Sequence, residues 1–576
     1  MTYLLFPLVL LAVFSFLIGV VYRKPGLINA AFAAYRRPPS LKRTIAIWFA
    51  VMAVVFVFAQ SLRLPFFKYA WARITTPSSY TSSWPDAVHT AGLILVLVSE
   101  LIVIIHWVVY LYQCWVGSTR YHLPQVLPLA LPAPPLIVFV PACDEEPDVL
   151  RRSLSTVGKL RYPNLQIYLV ENSRKRDAKA AALKLAADYG VAVLDIPNRG
   201  HKAGALNDAL AKLTSQPEFF AVIDADQAVV PEFLEEIVPL LQNDSKVAFV
   251  QTPQLYDNAE ITWTCRAAAQ QEMLLYDTIL EAKGANGRAL CCGSNFVMRM
   301  QALKEVGGWD ERSVSEDLMT GFLIHAHGWK SLYMRKTYAI GLGPVALPAY
   351  WKQQRRWASG NTTVAFLVVR AMLHRSPRIP LGLGIDYFWS AAYYITTLAL
   401  AILATLPMLL LLAVRWGVGT GLVHAQPALK PLEWVYLSVY PMYATIMLFP
   451  YIHMHLRGYP VRCLIMLQGL LSVTVPVYLS SVIKAIFTRI TVFEVVPKSS
   501  LTTAMPLWRT LQTYVFTALI VGGSILMETI LSRAVSPIAW IAMFWTLFYA
   551  ISFGHYFIFT LENRRLLKRQ TKAMLD

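Results

Sequence analysis

Cysteine is scarce and scattered. The six cysteines among 576 residues, Cys114, Cys143, Cys265, Cys291, Cys292 and Cys463, form no CxxC pair, so neither a disulfide framework nor a zinc site is indicated. Charge is scarce as well: 15% of residues are charged against 56% hydrophobic, a balance that fits a polytopic membrane protein far better than a soluble enzyme. Acids are outnumbered, 34 against 52 Lys and Arg, for a net charge of +18. That excess does not indicate nucleic acid, because the basic residues gather in expected cytoplasmic loops and at helix ends, where membrane orientation already requires them. No internal repeat is present, and the one linker-like stretch is LPQVLPLALPAPP, 123–135.

What is abundant is long apolar runs. Segments able to span about 30 Å of hydrocarbon fall near 2–22, 45–62, 91–116, 385–414, 434–454, 511–531 and 538–560. The first has no basic residue ahead of it, whereas Arg23, Lys24, Arg36, Arg37, Lys42 and Arg43 follow it, the reverse of a secretory signal. It is predicted to be a retained span with its N-terminus outside. The positive-inside bias then places 23–43, the long central stretch and the basic tail ENRRLLKRQTKAM in the cytoplasm. A further apolar segment, 461–487, would push that tail outside if counted as a span. It is therefore expected to be an interfacial or re-entrant helix, with Pro476, Ser480, Ser481 and Lys484 as polar interruptions. The expected layout is a transmembrane region 1–123 of three spans, a cytoplasmic domain 124–375, and a region 376–576 of four spans with a connecting loop 488–507.

The central domain has soluble alternation. PLIVFVPACDEE contains a buried strand leading to an acidic loop, and LQIYLVENS, VAVLDIP and FFAVIDADQ give three more strands, separated by helical segments. This order predicts a parallel, Rossmann-like sheet, with ligands at the carboxyl ends of the strands, where Asp144, Glu145, Glu171, Asp224 and Asp226 fall. Such acids are costly together unless a cation neutralises them. Mg²⁺ or Mn²⁺ carrying a nucleotide diphosphate would do so, although a lone DxD is more often a solvated turn.

Three other motifs accompany it. NRGHKAGALNDAL, 198–210, sets His201 and Lys202 in a Gly-containing loop leading into a helix, a disposition suited to phosphate. VSEDLMTGFLIHAHGWKS, 314–331, opens an amphipathic helix at Glu316 and Asp317, with Ser315 as a candidate cap. YWKQQRRWASGNT, 350–362, offers a cationic and aromatic cluster that could equally be an interfacial belt.

Taken in order, DAD at 224–226, VQTP at 250–253, CGS at 292–294, SED at 315–317, HGWKSLY at 327–333 and QQRRW at 353–357 resemble the processive family 2 glycosyltransferases, and most of all the catalytic subunits of bacterial cellulose synthases. The resemblance is dense over 135–365. FEVVPKS, Phe493 to Ser499, is similar to the gating loop of cellulose synthases. The resemblance implies a GT-A α/β domain set in a polytopic helical membrane bundle in the plasma (inner) membrane. It also implies residue roles. Asp317 would be the general base and Asp226 the metal ligand. Glu171, Lys202, Asp224, Gln353 and Arg356, with Phe493, Val495 and Lys498 of the lid, would hold the nucleotide sugar. Cys292, Gly293 and Trp357 would meet the acceptor.

The implied activity is inverting polymerisation of a nucleotide sugar, UDP-glucose by preference, into a linear β-glucan secreted through the chain's own channel, with accessory export subunits possible. Other linkages, a chitin-, hyaluronan- or mannan-type product, and a non-processive transferase acting on a lipid carrier are the alternatives. A transporter is disfavoured because the spans are poor in ionisable residues. The sequence departs from the family at four places: ACDEE stands where the family has a YNE-type turn and ENS where it has DDG, both at positions that would hold the nucleobase and ribose, with Ser315 for Thr and Val496 for the gating-loop Thr elsewhere.

Overall fold

The computed structural model describes residues 84–198, 202–214, 217–374, 379–403, 449–488, 511–532 and 537–575, and the single positions 46, 50, 54, 57, 68 and 406. The expected span 2–22, almost all of 45–62, much of 385–414 and 434–454, His201 and the lid residues Phe493, Val495 and Lys498 lie outside the described residues. The chain divides into two compact units, one of 1–111, 395–479 and 505–561, the other of 112–394, 480–504 and 562–576.

The second unit holds the sheet. Its seven strands run β3 (Ala192–Asp195), β2 (Leu165–Glu171), β1 (Leu136–Ala142), β4 (Phe219–Val222), β8 (Phe296–Arg299), β6 (Val247–Gln251) and β9 (Lys330–Tyr333) in spatial order. Pairing is parallel except at β8, which is antiparallel to both β4 and β6. The sheet is therefore mixed, which corrects the all-parallel expectation. VQTP and CGSN supply this difference: Gln251 and Phe296 pair across the β6–β8 ladder, so the chain returns down the sheet straight after the CGS turn. A smaller sheet joins β5 (Ala228–Val229), β10 (Ala339–Gly341) and β7 (Gln254–Tyr256) in the order β5-β10-β7.

Side chains alternate faces along each strand. Leu136, Val138 and Val140 of β1 and Phe219 and Ala221 of β4 enter one apolar layer, while Ile137, Phe139, Phe220 and Val222 enter the other. Both layers are covered by helices, which is why LIVFV and FFAV read as unbroken apolar runs. Helices α1 (Pro147–Val157), α2 (Arg176–Asp188) and α3 (Phe233–Asn243) close the first layer. Helices α4 (Lys202–Ala211), α5 (Met300–Glu305) and α6 (Glu316–Ala326) close the second, through residues such as Leu206, Leu303 and Ile324. Each fully buried Phe or Leu contributes about 1.5–3 kcal/mol.

Further helices of this unit are α7 (Leu347–His374), which carries QQRRW, and α8 (Leu381–Ala391). Trp263–Leu274 runs into a π turn, Leu275–Ile279. The backbone N–H of Trp263, at the start of that helix, donates to both carboxylate oxygens of Glu562 at 2.9 Å. In the other unit, Gln512 Nε2 donates to Val473 O at 3.2 Å, and Leu519, Met543, Ala550 and Phe553 form an apolar cluster.

Val461–Thr488 is one helix of 28 residues that continues through Pro476. It and Ile94–Thr119 are long and apolar enough to cross a membrane by length and composition, and they are the two that qualify among the described residues. Leu511–Ser532 and Pro537–Leu575 are also helical, over the ranges where two spans are expected.

Candidate active site

Asp224 and Asp226 lie in the turn that follows β4, at its carboxyl end. Gln227 N–H donates to Asp224 O at 2.9 Å and closes that turn. Because β8 lies beside β4 and runs the other way, the CGSN turn that precedes β8 is brought to the same edge of the sheet. The two turns are stitched together. Asp224 N–H donates to Ser294 Oγ at 2.9 Å, and Lys202, the first residue of α4, bridges them with its ammonium, donating to Asp224 Oδ1 and, at 2.7 Å, to Gly293 O. Gln251 completes the frame: its Oε1 accepts from Cys292 N at 2.8 Å and its Nε2 donates to Ser294 O at 2.8 Å.

Asp317 meets the same turn from α6. Gly293 has φ +79, and a Cβ built on it would lie 2.8 Å from Asp317 Oδ2. Only glycine tolerates both that backbone and that approach. Asp317 Oδ1 accepts from Leu318 N at 2.8 Å, which fixes the carboxylate at the helix start. Ser315, expected as a cap, makes no capping bond; its hydroxyl donates instead to Asn361 Oδ1 at 2.7 Å, while Ser313 Oγ donates to Gly360 O at 3.0 Å. SED is thereby fastened to α7. The far end of α6 is held by His325, whose ring nitrogens lie 2.7 Å from Tyr387 OH on α8 and 2.8 Å from Ser331 Oγ on β9. Burial pushes that imidazole down to about 3, so it is neutral at physiological pH.

The two acids of SED titrate as a coupled pair. Burial raises the Asp317 carboxyl above its usual range, against the Leu318 N–H and the nearby charges of Lys202 and Arg356. Burial, and then the charge of Asp317, pushes Glu316 up to about 7. A carboxylate whose proton affinity burial raises, beside the charges of Lys202 and Arg356, is equipped to accept a proton.

The structure thus brings Lys202, Asp224, Gly293, Cys292 and Asp317 into one cluster, with Asp226 two residues from Asp224 and Arg356 close enough to influence Asp317 and Glu316. The Cys292 thiol is raised well above its usual value by burial and is no nucleophile. Gln353 reaches Tyr256, and Trp357 is half-buried on α7, one residue beyond Arg356. Gln354 is fully buried and accepts from Gln271 at 3.3 Å.

Not all the expected acids converge. Asp144 takes a left-handed backbone, φ 56, and its Oδ1 accepts from Arg174 N and Lys175 N at 2.9 and 2.8 Å, so it is held by backbone N–H groups just ahead of α2. Glu171 is fully buried at the end of β2; Oε1 accepts from Ser173 N at 2.6 Å, and burial raises its carboxyl. The altered turns pack on each other: Asn198 Nδ2 donates to Asn172 O at 2.6 Å and lies 3.7 Å from Cys143 Sγ. The sequence reading missed Gln251, Gln227 and Asn295, and gave Glu316 no role beyond opening its helix. The Gln of VQTP stood inside a quoted motif and Asn295 directly follows another, CGS, but nothing local shows which backbone groups they hold.

As to a metal, Asp224 and Asp226 provide hard oxygen donors one residue apart. The Lys202 ammonium is placed on Asp224, while Asp226 Oδ2 accepts from Leu342 N at 3.2 Å. Among the described residues no cluster of three or more His, Cys, Asp or Glu side chains could cage an ion. A hard cation held by one or two carboxylates and by substrate phosphates fits this donor set.

Residues 134–360 match the sequence model of the family described as glycosyltransferase like family 2, and residues 304–426 match that of cellulose synthase. The chain carries a glycosyltransferase 2-like domain. Its mixed sheet is that of a GT-A fold. The chain is 35% identical over 168 residues to a UDP-forming cellulose synthase catalytic subunit from Dictyostelium discoideum, covering 28% of this chain and 16% of that protein. It is 28% identical over 250 residues to the UDP-forming cellulose synthase catalytic subunit of Xanthomonas axonopodis pv. citri, covering 41% of this chain and 34% of that protein. The chain therefore matches only a minor part of the length of these relatives. A mannosyltransferase from Pyrobaculum calidifontis, solved with GDP-Man and Mn2+, aligns over 69% of this chain and 100% of its own at 16% identity and TM-score 0.47, too loose a likeness to carry an argument.

Proposed function

We propose that the chain is a membrane-embedded, inverting β-glycosyltransferase that polymerises a sugar from a nucleotide donor, UDP-glucose by preference. The observation that carries this is the meeting of Asp317 with Gly293, whose carbonyl is bound by the same Lys202 ammonium that reaches Asp224. That places a proton acceptor, a cation and the DAD turn around one small space.

In this reading Asp317 Oδ2 takes the proton of the acceptor hydroxyl as that oxygen attacks the anomeric carbon. One displacement converts an α-linked donor into a β-linked product. Lys202 and Arg356 face the diphosphate and stabilise the charge it gains on leaving. Asp226 would hold Mg²⁺ or Mn²⁺, which supplies further neutralisation of that charge. Asp224 orients the nucleotide through its tie to Lys202 and Ser294. Cys292, Gly293 and Trp357 would receive the acceptor sugar, and Phe493, Val495 and Lys498, outside the described residues, would belong to the lid that the resemblance implies.

The names of the curated relatives support UDP-glucose and a glucan, and the Xanthomonas protein is described as UDP-forming. The nucleobase end remains the part that differs, since Cys143, Asn172 and Asn198 pack on one another there. Processive synthesis with secretion through the chain's own helices rests on the seven apolar runs and on the helices Ile94–Thr119, Leu511–Ser532 and Pro537–Leu575. In this layout the enzyme is multi-pass in the plasma (inner) membrane, its catalytic domain is cytoplasmic, and Val461–Thr488 lies along the cytoplasmic interface. The test is a panel of labelled UDP-glucose, UDP-GlcNAc and GDP-mannose supplied to membranes carrying the chain. Insoluble polymer from UDP-glucose, cleaved by a β-glucanase of one linkage class, is expected. Incorporation only from another donor refutes the glucan, and no incorporation into any polymer refutes the synthase.

A further inference from the structure

The turn that bears Asp226 is held from outside by a residue that pays for its own backbone. Asn295 is buried with φ +57, in the left-handed region that glycine enters freely and other residues enter at a cost. Its main chain is fully committed: N–H donates to Val222 O at 2.9 Å, and O accepts from Thr252 N at 3.1 Å and Thr252 Oγ1 at 2.7 Å. That leaves the side chain. Asn295 Nδ2 donates to Gln227 Oε1 at 3.2 Å, and Asn295 Oδ1 accepts from Ser294 Oγ at 3.2 Å.

Gln227 is the residue after Asp226 and is itself buried. Its amide lies against Gly341, where any Cβ would overlap it, and the next backbone N–H, of Leu342, reaches Asp226 Oδ2. Asp226 and Gln227 are thus clamped between Asn295 of the CGSN turn and the Gly341–Leu342 backbone of the small sheet. Ser294 secures the other end of the same turn at Asp224 N–H.

We propose that Asn295, acting through Gln227, is a positioning residue that sets the orientation of the Asp226 carboxylate toward a divalent cation and the diphosphate it carries. This rests on the reading of Asp226 as the metal ligand. It explains why a left-handed position is occupied by asparagine: glycine would satisfy the backbone but leave Gln227 unheld.

The test compares Asn295→Gly, Asn295→Ala and Gln227→Leu in the full chain, purified in detergent, by calorimetric titration with UDP, and separately GDP, each with and without MnCl₂. Asn295→Gly relieves the backbone but leaves Gln227 Oε1 without its donor, so its melting temperature should fall less than that of Asn295→Ala. It should nevertheless weaken manganese-dependent nucleotide binding about tenfold, the scale of one buried hydrogen bond whose partner is left unsatisfied. Asn295→Ala should lose the same binding and some stability. Gln227→Leu should match Asn295→Gly, and the double variant should be no worse than either. Asn295→Gly with wild-type manganese-dependent affinity overturns the inference while leaving the metal assignment standing. Wild-type binding of both nucleotides that ignores MnCl₂ overturns both.

Discussion

Gly293→Ala is the sharpest perturbation the site offers. The new Cβ would stand 2.8 Å from Asp317 Oδ2, while ordinary carbon contacts begin near 3.4 Å, so about 0.6 Å must be found. Asp317 cannot readily turn away, because Oδ1 is held by Leu318 N–H at 2.8 Å. Nor can the CGSN turn yield freely, since Lys202, Gln251 and the Asp224 N–H bind it on three sides. Two costs separate. The backbone at φ +79 costs about 1–2 kcal/mol for any residue with a Cβ. Displacing the base by a fraction of an ångström to 1 Å costs up to about 10²-fold in turnover. Gly190 isolates the first cost: it has φ +65 and nothing within 4 Å of a built Cβ, so Gly190→Ala carries the strain without the clash. Both variants should melt lower than wild type, Gly293→Ala by more because it adds the clash to the strain, measured by thermal unfolding of the purified chain. Only Gly293→Ala should lose turnover, measured as incorporation of labelled sugar. Turnover within twofold of wild type in Gly293→Ala would refute the placement of Asp317 as the base.

Asp317→Asn should lower kcat by at least about 10²-fold with little change in nucleotide affinity. Because the base must be ionised and burial raises its pKa, kcat/KM should fall as pH drops through a value above the ordinary aspartate range. Glu316, pushed up to about 7, is largely protonated below neutrality. Glu316→Gln should therefore leave that acid limb in place, and a limb that moves by a full pH unit would show that the pair ionises in the other order. EDTA should abolish polymer synthesis, and Asp226→Asn should do the same in a folded chain; full activity in EDTA removes the metal. His325 has a folded pKa of about 3, below its unfolded value of about 6.5, so the unfolded chain binds more protons between them. Its contribution to stability is present above 6.5 and lost as pH falls toward 3, and His325→Gln should flatten that part of the melting curve against pH.

The sequence by itself determined the elements that depend on local pattern. Unbroken apolar runs such as LIVFV and FFAV marked buried strands, the GALNDAL segment marked a helix, which the structure begins at Lys202, and SED fell at a helix start. It also singled out Asp224, Gly293 and Asp317, because their motifs occur in a recognisable order. Tertiary structure decided how those motifs meet. An antiparallel β8 between β4 and β6 is invisible to hydrophobic periodicity, since a strand buried on both faces reads alike in either direction. That one reversal carries CGSN to the DAD turn, makes Gly293 the surface against which Asp317 rests, and gives Asn295 its hold on Gln227. The same dependence on partners reassigned two residues: Asp144 binds backbone N–H groups just ahead of α2, and Ser315 bonds Asn361 on α7 instead of capping its own helix. A side-chain hydrogen bond to a residue 31 or 46 positions away has no signature in the local sequence, because its energy depends on a distance that only the folded chain sets.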